Sequence, residues 1–255
     1  MEVIILVLIS FLVAVLFSLL GLGGGIIYTP LFYWAGLDIL TAIPIALLMN
    51  MLSTASSSVT YLKQRLVDTK AAIPIILTSI PGALAGAYIA RRMDPLFIVL
   101  LLSIVLFIAG LRILLYNSIG FSVRSGEKEK MMLCGGSGFF IGMVSSIVGI
   151  GGGIFIVPLL LVLGYETKKA TATSTFVIVF ISLAGFLGHM IQGVKGVENM
   201  GISLFNLLLF AGAATVIGAQ VGSRLIFNRI SGKKIEQIFA LVLLLVGIKL
   251  LYGLF

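Results

Sequence analysis

Residues 21–32 read GLGGGIIYTPLF, and a closely similar stretch, GIGGGIFIVPLL, returns at residues 149–160, 128 positions later. Seven of the twelve aligned positions are identical, and both copies interrupt very apolar sequence. A glycine interruption repeated in two halves of a hydrophobic chain is typical of a transport site built between those halves. We name residues 21–25 the first glycine break and residues 149–153 the second glycine break.

Composition places the chain in a membrane. Of its 255 residues, 60% are hydrophobic and 10% are charged, and the mean hydropathy is +1.24. Such a chain has too few polar side chains to cover a soluble surface, and its apolar runs reach the roughly 20 residues that span a bilayer. Met1 to Leu20 lacks a basic start and a small-residue cleavage site, so we interpret it as a first membrane helix. The prediction is an all-α, multi-pass protein of the cytoplasmic membrane.

Eight apolar segments account for most of the chain. They lie at 3–36, 41–62, 70–91, 95–116, 132–163, 168–191, 201–226 and 234–254, and the first and fifth contain the glycine breaks. The most polar stretch, 117–130, reads as a solvated linker. It separates a first membrane repeat at 1–116 from a second at 131–255.

The similarity between the halves extends beyond the glycine breaks. The aligned pairs are Ala42 with Ala170 and Gln64 with Gln192 at an offset of 128, Gly86-Ala87 with Gly218-Ala219 at 132, and Gly110 with Gly247 at 137. Because the order of these pairs is kept, we expect two homologous halves of four segments each.

The positive charges favour an inverted relation between the halves. If each broken segment crosses the membrane once, Lys and Arg divide nine to eight between the two sides. If each is a hairpin that returns to its starting side, they divide thirteen to four. Membrane proteins concentrate Lys and Arg on the cytoplasmic side, so we predict inverted repeats with glycine-broken first helices, a cytoplasmic linker and both termini outside.

The glycine runs themselves are the first candidate site, formed by Gly23, Gly24 and Gly25 with Gly151, Gly152 and Gly153. Backbone polar groups left unpaired in lipid cost several kcal/mol each, so a break must face protein or a watery cavity. If helices restart at Ile26 and Ile154, their N-terminal N–H groups would point into the breaks and could bind an anion. The alternative is close helix packing through small residues.

Hydroxyl and amide side chains are the second candidate feature. Asn50, Ser53, Thr54 and Ser57 follow i, i+3, i+4, i+7 spacing and share one helix face. The matching segment of the second half carries Thr173, Ser174 and Thr175. These groups donate hydrogen bonds without burying a charge, so they could line a substrate site. The alternative is interhelical contact or bonding to their own helix.

Three further residues are candidates for a gate or vestibule. Gln64 and Gln192 fall at matching positions near helix ends, and Lys63 and Arg65 beside the former could concentrate anions. His189, the only histidine, could relay protons or form a structural hydrogen bond.

Several functional classes find no support. With one His and one Cys, a His/Cys metal site is close to excluded. No phosphate-binding loop or nucleophile motif follows the glycines, so we expect no enzyme, cofactor or metal. The net charge of +8 comes from residues at segment ends without interleaved aromatics, against a nucleic-acid partner. The carboxylates fall in loops or at the extreme ends of segments, which favours an anionic or neutral substrate.

Taken together, the duplicated Gly-hydrophobic-Gly-Gly-Gly motif with its later Pro-Leu, the ATATST stretch at 170–175 and the closing Gly-Leu-Arg at 110–112 resemble the sulfite exporter TauE/SafE family. The resemblance covers residues 4–254. It implies movement of sulfur-containing anions, such as sulfite or organosulfonates, across a cytoplasmic membrane. The first half departs from the ATATST pattern at Ala42–Ala46, so the two halves need not contribute equally to the substrate site.

The predicted function is therefore a secondary transporter for a small sulfur-containing anion that works by alternating access. The alternatives are a passive anion channel and a non-transporting membrane subunit. The expected partners are the anion and the lipid bilayer. A coupling ion, H⁺ or Na⁺, and a homo-oligomer are left open.

Overall fold

The computed structural model describes residues 2–20, 23–115, 127–193, 204–225 and 232–253, and this part of the chain holds ten α-helices and no strand. Five of the helices, α3, α4, α5, α6 and α8, are long and apolar enough to cross a membrane, as expected of a multi-pass protein. The helices are α1 (Glu2–Leu20), α2 (Gly25–Trp34), α3 (Ile39–Lys63), α4 (Thr69–Ala90), α5 (Pro95–Leu115), α6 (Glu127–Val148), α7 (Gly153–Val162), α8 (Thr167–Ile191), α9 (Leu204–Leu225) and α10 (Gly232–Tyr252).

Both glycine breaks interrupt helices. The first separates α1 from α2 and the second separates α6 from α7. The new helices start at the last glycine of each run, one residue before the isoleucines expected from sequence. Among the described residues of the two breaks, four glycines have a left-handed backbone, where a side chain costs about 1–2 kcal/mol: Gly23 (φ +68°), Gly149 (+76°), Gly151 (+83°) and Gly152 (+94°).

In the first half, the chain folds back at its break. The Tyr28 hydroxyl of α2 donates to the Ser10 carbonyl of α1 over 3.2 Å. A straight helix would separate these two residues by about 27 Å, so α2 runs back along α1.

The second half shows the same reversal. Lys130 near the start of α6 lies beside Tyr165, which follows α7, with its Nζ 5.6 Å from the ring centroid. The broken segment therefore begins and ends at the same end of the bundle. A repeated contact accompanies this: Tyr61 Oη donates to the Ser18 carbonyl over 2.7 Å, and 128 positions later His189 Nε2 lies 2.9 Å from the Ser146 carbonyl.

Helices pack in reciprocal pairs. α1 and α3 of the first half both pack on α9 of the second half. Their counterparts α6 and α8 both pack on α4 of the first half. The last helices of the two halves, α5 and α10, pack on each other. The central pair, α3 and α8, is antiparallel: Asn50 bonds to Ser182, while Leu47, one turn earlier, lies against Gly185, about one turn later.

The structure corrects one predicted alignment of the repeats. The equivalent contacts of α4 and α9 are related by 136 positions, so the offset of 132 is wrong by one helical turn. In α4, Gly82 and Gly86 lie against the carbonyls of Phe139 and Met143 in α6. The equivalent glycines of α9, Gly218 and Gly222, lie against the carbonyls of Phe11 and Val15 in α1. Small residues recur every four positions at such crossings, so sequence similarity cannot distinguish adjacent turns.

The predicted repeat offset of 137 agrees with equivalent contacts between α5 and α10. A Cβ placed on Gly110 would lie 2.9 Å from the Ala240 carbonyl oxygen. A Cβ placed on Gly247 would lie 3.3 Å from the Ser103 carbonyl oxygen. Gly110 and Gly247 are 137 positions apart, and so are Ser103 and Ala240.

The predicted linker at 117–130 is shorter than expected, because α6 begins at Glu127 with helix-forming Glu and Lys. Residues 117–126 of that linker lie outside the described residues.

Close crossing of α4 and α6 leads to a stability prediction. A Cβ on Gly142 would collide with the Ser79 carbonyl, while one on Gly136 of the same helix would meet nothing within 4 Å. We expect Gly142→Ala to destabilise the protein by about 2 kcal/mol and Gly136→Ala to stabilise it by up to about 1 kcal/mol. Thermal unfolding in detergent measures both, and equal melting temperatures would contradict the crossing.

Candidate functional site

The two glycine breaks, far apart in sequence, touch each other in the core. A Cβ on Gly25 would lie 2.5 Å from the Ile150 carbonyl oxygen, and Thr29 Oγ1 donates to the Gly149 carbonyl over 3.0 Å. All four residues are buried. Thr29 was missed by the sequence reasoning. Its one signal is its place four residues after Gly25, on the same helix face.

Asn50 joins the two breaks. Its Oδ1 accepts from the Gly25 N–H over 3.0 Å, and its Nδ2 donates to Ser182 Oγ over 2.8 Å and to the Ile150 carbonyl over 3.4 Å. The side chain is fully buried. The predicted placement of Asn50 beside the breaks therefore describes this structure, whereas Ser182 was not among the predicted site residues.

The start of α2 shows what the site can do chemically. The first N–H groups of a helix lack partners within the helix, and the helix dipole makes that end positive. Here the amide oxygen of Asn50 takes the Gly25 N–H. An anionic oxygen could occupy the same place without help from Lys or Arg.

Three of the six predicted hydroxyls bond to their own helix in this conformation. Thr54 Oγ1 donates to the Asn50 carbonyl over 2.7 Å, Ser57 Oγ to the Ser53 carbonyl over 3.1 Å, and Thr175 Oγ1 to the Thr171 carbonyl over 2.8 Å. Ser57 Oγ also contacts Ser18 Oγ of α1. These bonds correspond to the local-bonding alternative for such residues.

The structure does not bring Thr173, Ser174 and Thr175 to the breaks. Thr173 Oγ1 accepts from the Asp68 N–H over 2.9 Å, at the start of α4. Given the antiparallel register of α3 and α8, Thr173 lies about 13 Å along the axis from Asn50. Ser174 Oγ is buried and has no hydrogen-bond partner in the part of the chain that is described.

Comparison with known proteins identifies the family of this chain. Residues 6–250 match the family described as sulfite exporter TauE/SafE. The chain belongs to the TauE/SafE family. It is 29% identical to a probable membrane transporter protein of Bacillus subtilis, covering 99% of this chain and 98% of the relative. A probable membrane transporter protein of Methanocaldococcus jannaschii is 26% identical over 97% of this chain and 94% of its own. No solved structure matches the chain.

Family membership makes this a membrane transporter, of a family that is not an enzyme class.

Within this TauE/SafE protein, the three predicted gate or vestibule residues do not lie together. Gln64 caps the end of α3 and Gln192 caps the end of α8. Since those helices are antiparallel, the two glutamines lie roughly 36 Å apart along the axis. His189 lies near Gln192, so one vestibule cannot contain all three.

A cavity of about 80 Å³ opens at the end of the TauE/SafE bundle where α4 and α6 begin. Its lining combines two cationic side chains with one carboxylate: the residues are Asp68, Lys70, Ala71, Lys130, Met131, Cys134 and Tyr165. No sequence pattern points to this place. It is separate from the glycine breaks, which are packed directly against each other. Among the described residues, no group of three or more His, Cys, Asp or Glu could hold a metal.

Proposed function

We propose that this protein is a secondary transporter that moves a small sulfur-containing anion, of the sulfite or organosulfonate type, across the cytoplasmic membrane by alternating access. Membership of the TauE/SafE family supports the transporter class and suggests the substrate. The observation that carries the proposal is the contact between the two glycine breaks, because it joins two helix N-termini in one buried centre.

An inverted relation between the halves is part of the proposal. Both broken segments turn back at their glycines, so each half would have three full crossings. An odd number of crossings inverts the second half relative to the first. The antiparallel pairing of the equivalent helices α3 and α8 supports this. The end that carries Lys63, Arg65, Lys70 and Lys130 would face the cytoplasm.

The substrate would bind at the centre through main-chain N–H groups rather than cationic side chains. Helix N-termini suit a small oxyanion because they supply several donors and a positive dipole end. Asn50 and the nearby hydroxyls would add donors as the halves move. The breaks are packed closed in this conformation, so binding requires rocking of one half against the other. That requirement favours a transporter over a passive channel, with H⁺ or Na⁺ as the coupling ion.

Flux in proteoliposomes tests the function. We expect saturable uptake of sulfite or an organosulfonate by the wild type, and loss of at least about tenfold in flux for Gly24→Leu combined with Gly152→Leu, since both side chains would fill the helix starts. Gly136→Ala, at an open helical position, is the matched control. The panel should be measured at several pH values and membrane potentials to reveal the coupling ion.

Two outcomes would contradict the proposed function. Flux that never saturates and shows no coupling would indicate a passive channel. Absence of flux for every sulfur anion, from a protein that remains folded, would favour a non-transporting subunit.

A further inference from the structure

A buried hydroxyl at the second glycine break makes no hydrogen bond within the described fold. The Ser145 side chain of α6 is 0% exposed, and its Oγ has no hydrogen-bond partner among the described residues. A buried, unpaired hydroxyl is unfavourable, so an acceptor that bound beside it would gain a hydrogen bond. Ser145 was not among the residues singled out from sequence.

This hydroxyl faces the start of α7. A Cβ on Gly152, the residue that precedes α7, would lie 3.0 Å from Ser145 Oγ. The other nearest atoms belong to Ile141 and Ile181, each 3.2 Å from the same point. Gly152 has φ +94° and, within the described chain, no side chain caps the helix. One hydroxyl donor therefore lies in an apolar setting beside a ten-residue helix's positive end.

The first glycine break lacks this arrangement. Its helix start is already occupied, because the Gly25 N–H donates to Asn50 Oδ1. The position that matches Ser145 in the repeat is Phe17, and the position that matches Asn50 is Ile178. The two helix starts are therefore chemically different: one carries an internal acceptor, and the other carries an unused donor.

We propose that the substrate anion binds asymmetrically, at the second glycine break, where Ser145 Oγ donates to one anion oxygen and the first N–H groups of α7 donate to another. This inference rests on the proposed transport of a small sulfur oxyanion and adds where in the centre that anion binds. Asn50 keeps the first break closed by acting as a tethered substitute for the anion. The apolar walls from Ile141 and Ile181 exclude water, which strengthens hydrogen bonds to the bound charge.

Ser145→Ala tests the inference, with Ser58→Ala as the matched control. Ser58 Oγ is also buried without a partner in the described chain, but it lies two helical turns from Asn50. Removing either unpaired hydroxyl should leave thermal stability unchanged or raise it. For Ser145→Ala alone, we expect the Kd for sulfite, measured by titration calorimetry, and the KM for flux to rise by about tenfold.

The outcomes separate this inference from the function beneath it. If wild type binds and moves sulfite and Ser145→Ala retains the same Kd and KM, the asymmetric site is wrong and the transport function stands. An equal loss of affinity in Ser58→Ala would also overturn it. If wild type neither binds nor moves any sulfur anion in the panel, the proposed function fails and the inference fails with it.

Discussion

Gly25→Ala is expected to abolish transport and destabilise the protein by more than about 3 kcal/mol. The new Cβ would lie 2.5 Å from the Ile150 carbonyl oxygen and 3.0 Å from that of Gly149. Both are backbone atoms, so no side-chain rotation can relieve the collision. The two glycine breaks would have to move apart. Thermal unfolding in detergent and sulfite flux in proteoliposomes measure the two effects.

Gly36→Ala is the control that separates collision from backbone strain. Gly36 has φ +95°, a left-handed value, but a Cβ there would meet nothing within 4 Å. Gly36→Ala should lower the free energy of unfolding by about 1–2 kcal/mol and leave the two glycine breaks in contact. Gly25 has no such φ, so its effect would come from collision alone. If Gly25→Ala proves no less stable than Gly36→Ala, the breaks do not touch as described.

Asn50→Ala is expected to have the second largest effect, a destabilisation of about 3 kcal/mol with loss of flux. The substitution would remove the bonds to the Gly25 N–H, Ser182 Oγ and the Ile150 carbonyl together. Those partners are buried, so each lost bond leaves a polar group without water. Unfolding temperature and flux again provide the measurement.

Ser103→Ala supplies the comparison for Asn50. Ser103 is fully buried in α5, and its Oγ donates to the Val99 carbonyl of the same helix over 2.8 Å. Loss of this local bond should cost less than about 1 kcal/mol and leave flux intact. A stability of Asn50→Ala close to that of Ser103→Ala would show that Asn50 does not bridge the halves.

Local features of the site could be predicted because they depend on neighbours along the chain. The interruption of helices at both glycine breaks follows from glycine runs inside apolar segments. The placement of Asn50 on a polar face follows from helical spacing. Helical spacing does not reveal which distant residue that face meets. Ser182 and Thr29 were therefore missed, although both bond to the centre.

Register between helices was the main source of error. The repeat alignment of α4 and α9 was wrong by one turn, because glycines four residues apart look alike in sequence. The hydroxyls at 173–175 were grouped with Asn50 by residue type, yet the antiparallel pairing of α3 and α8 separates them.

Membrane helices interrupted by two glycine runs could be predicted from the amino-acid order alone, since apolar length and backbone freedom are local properties. The packing of the helices was needed to show that the interruptions meet, that Asn50 bridges them and that Ser145 lies unpaired beside Gly152. These contacts join positions up to 125 residues apart. They depend on how whole helices pack against one another, and no short stretch of sequence encodes that.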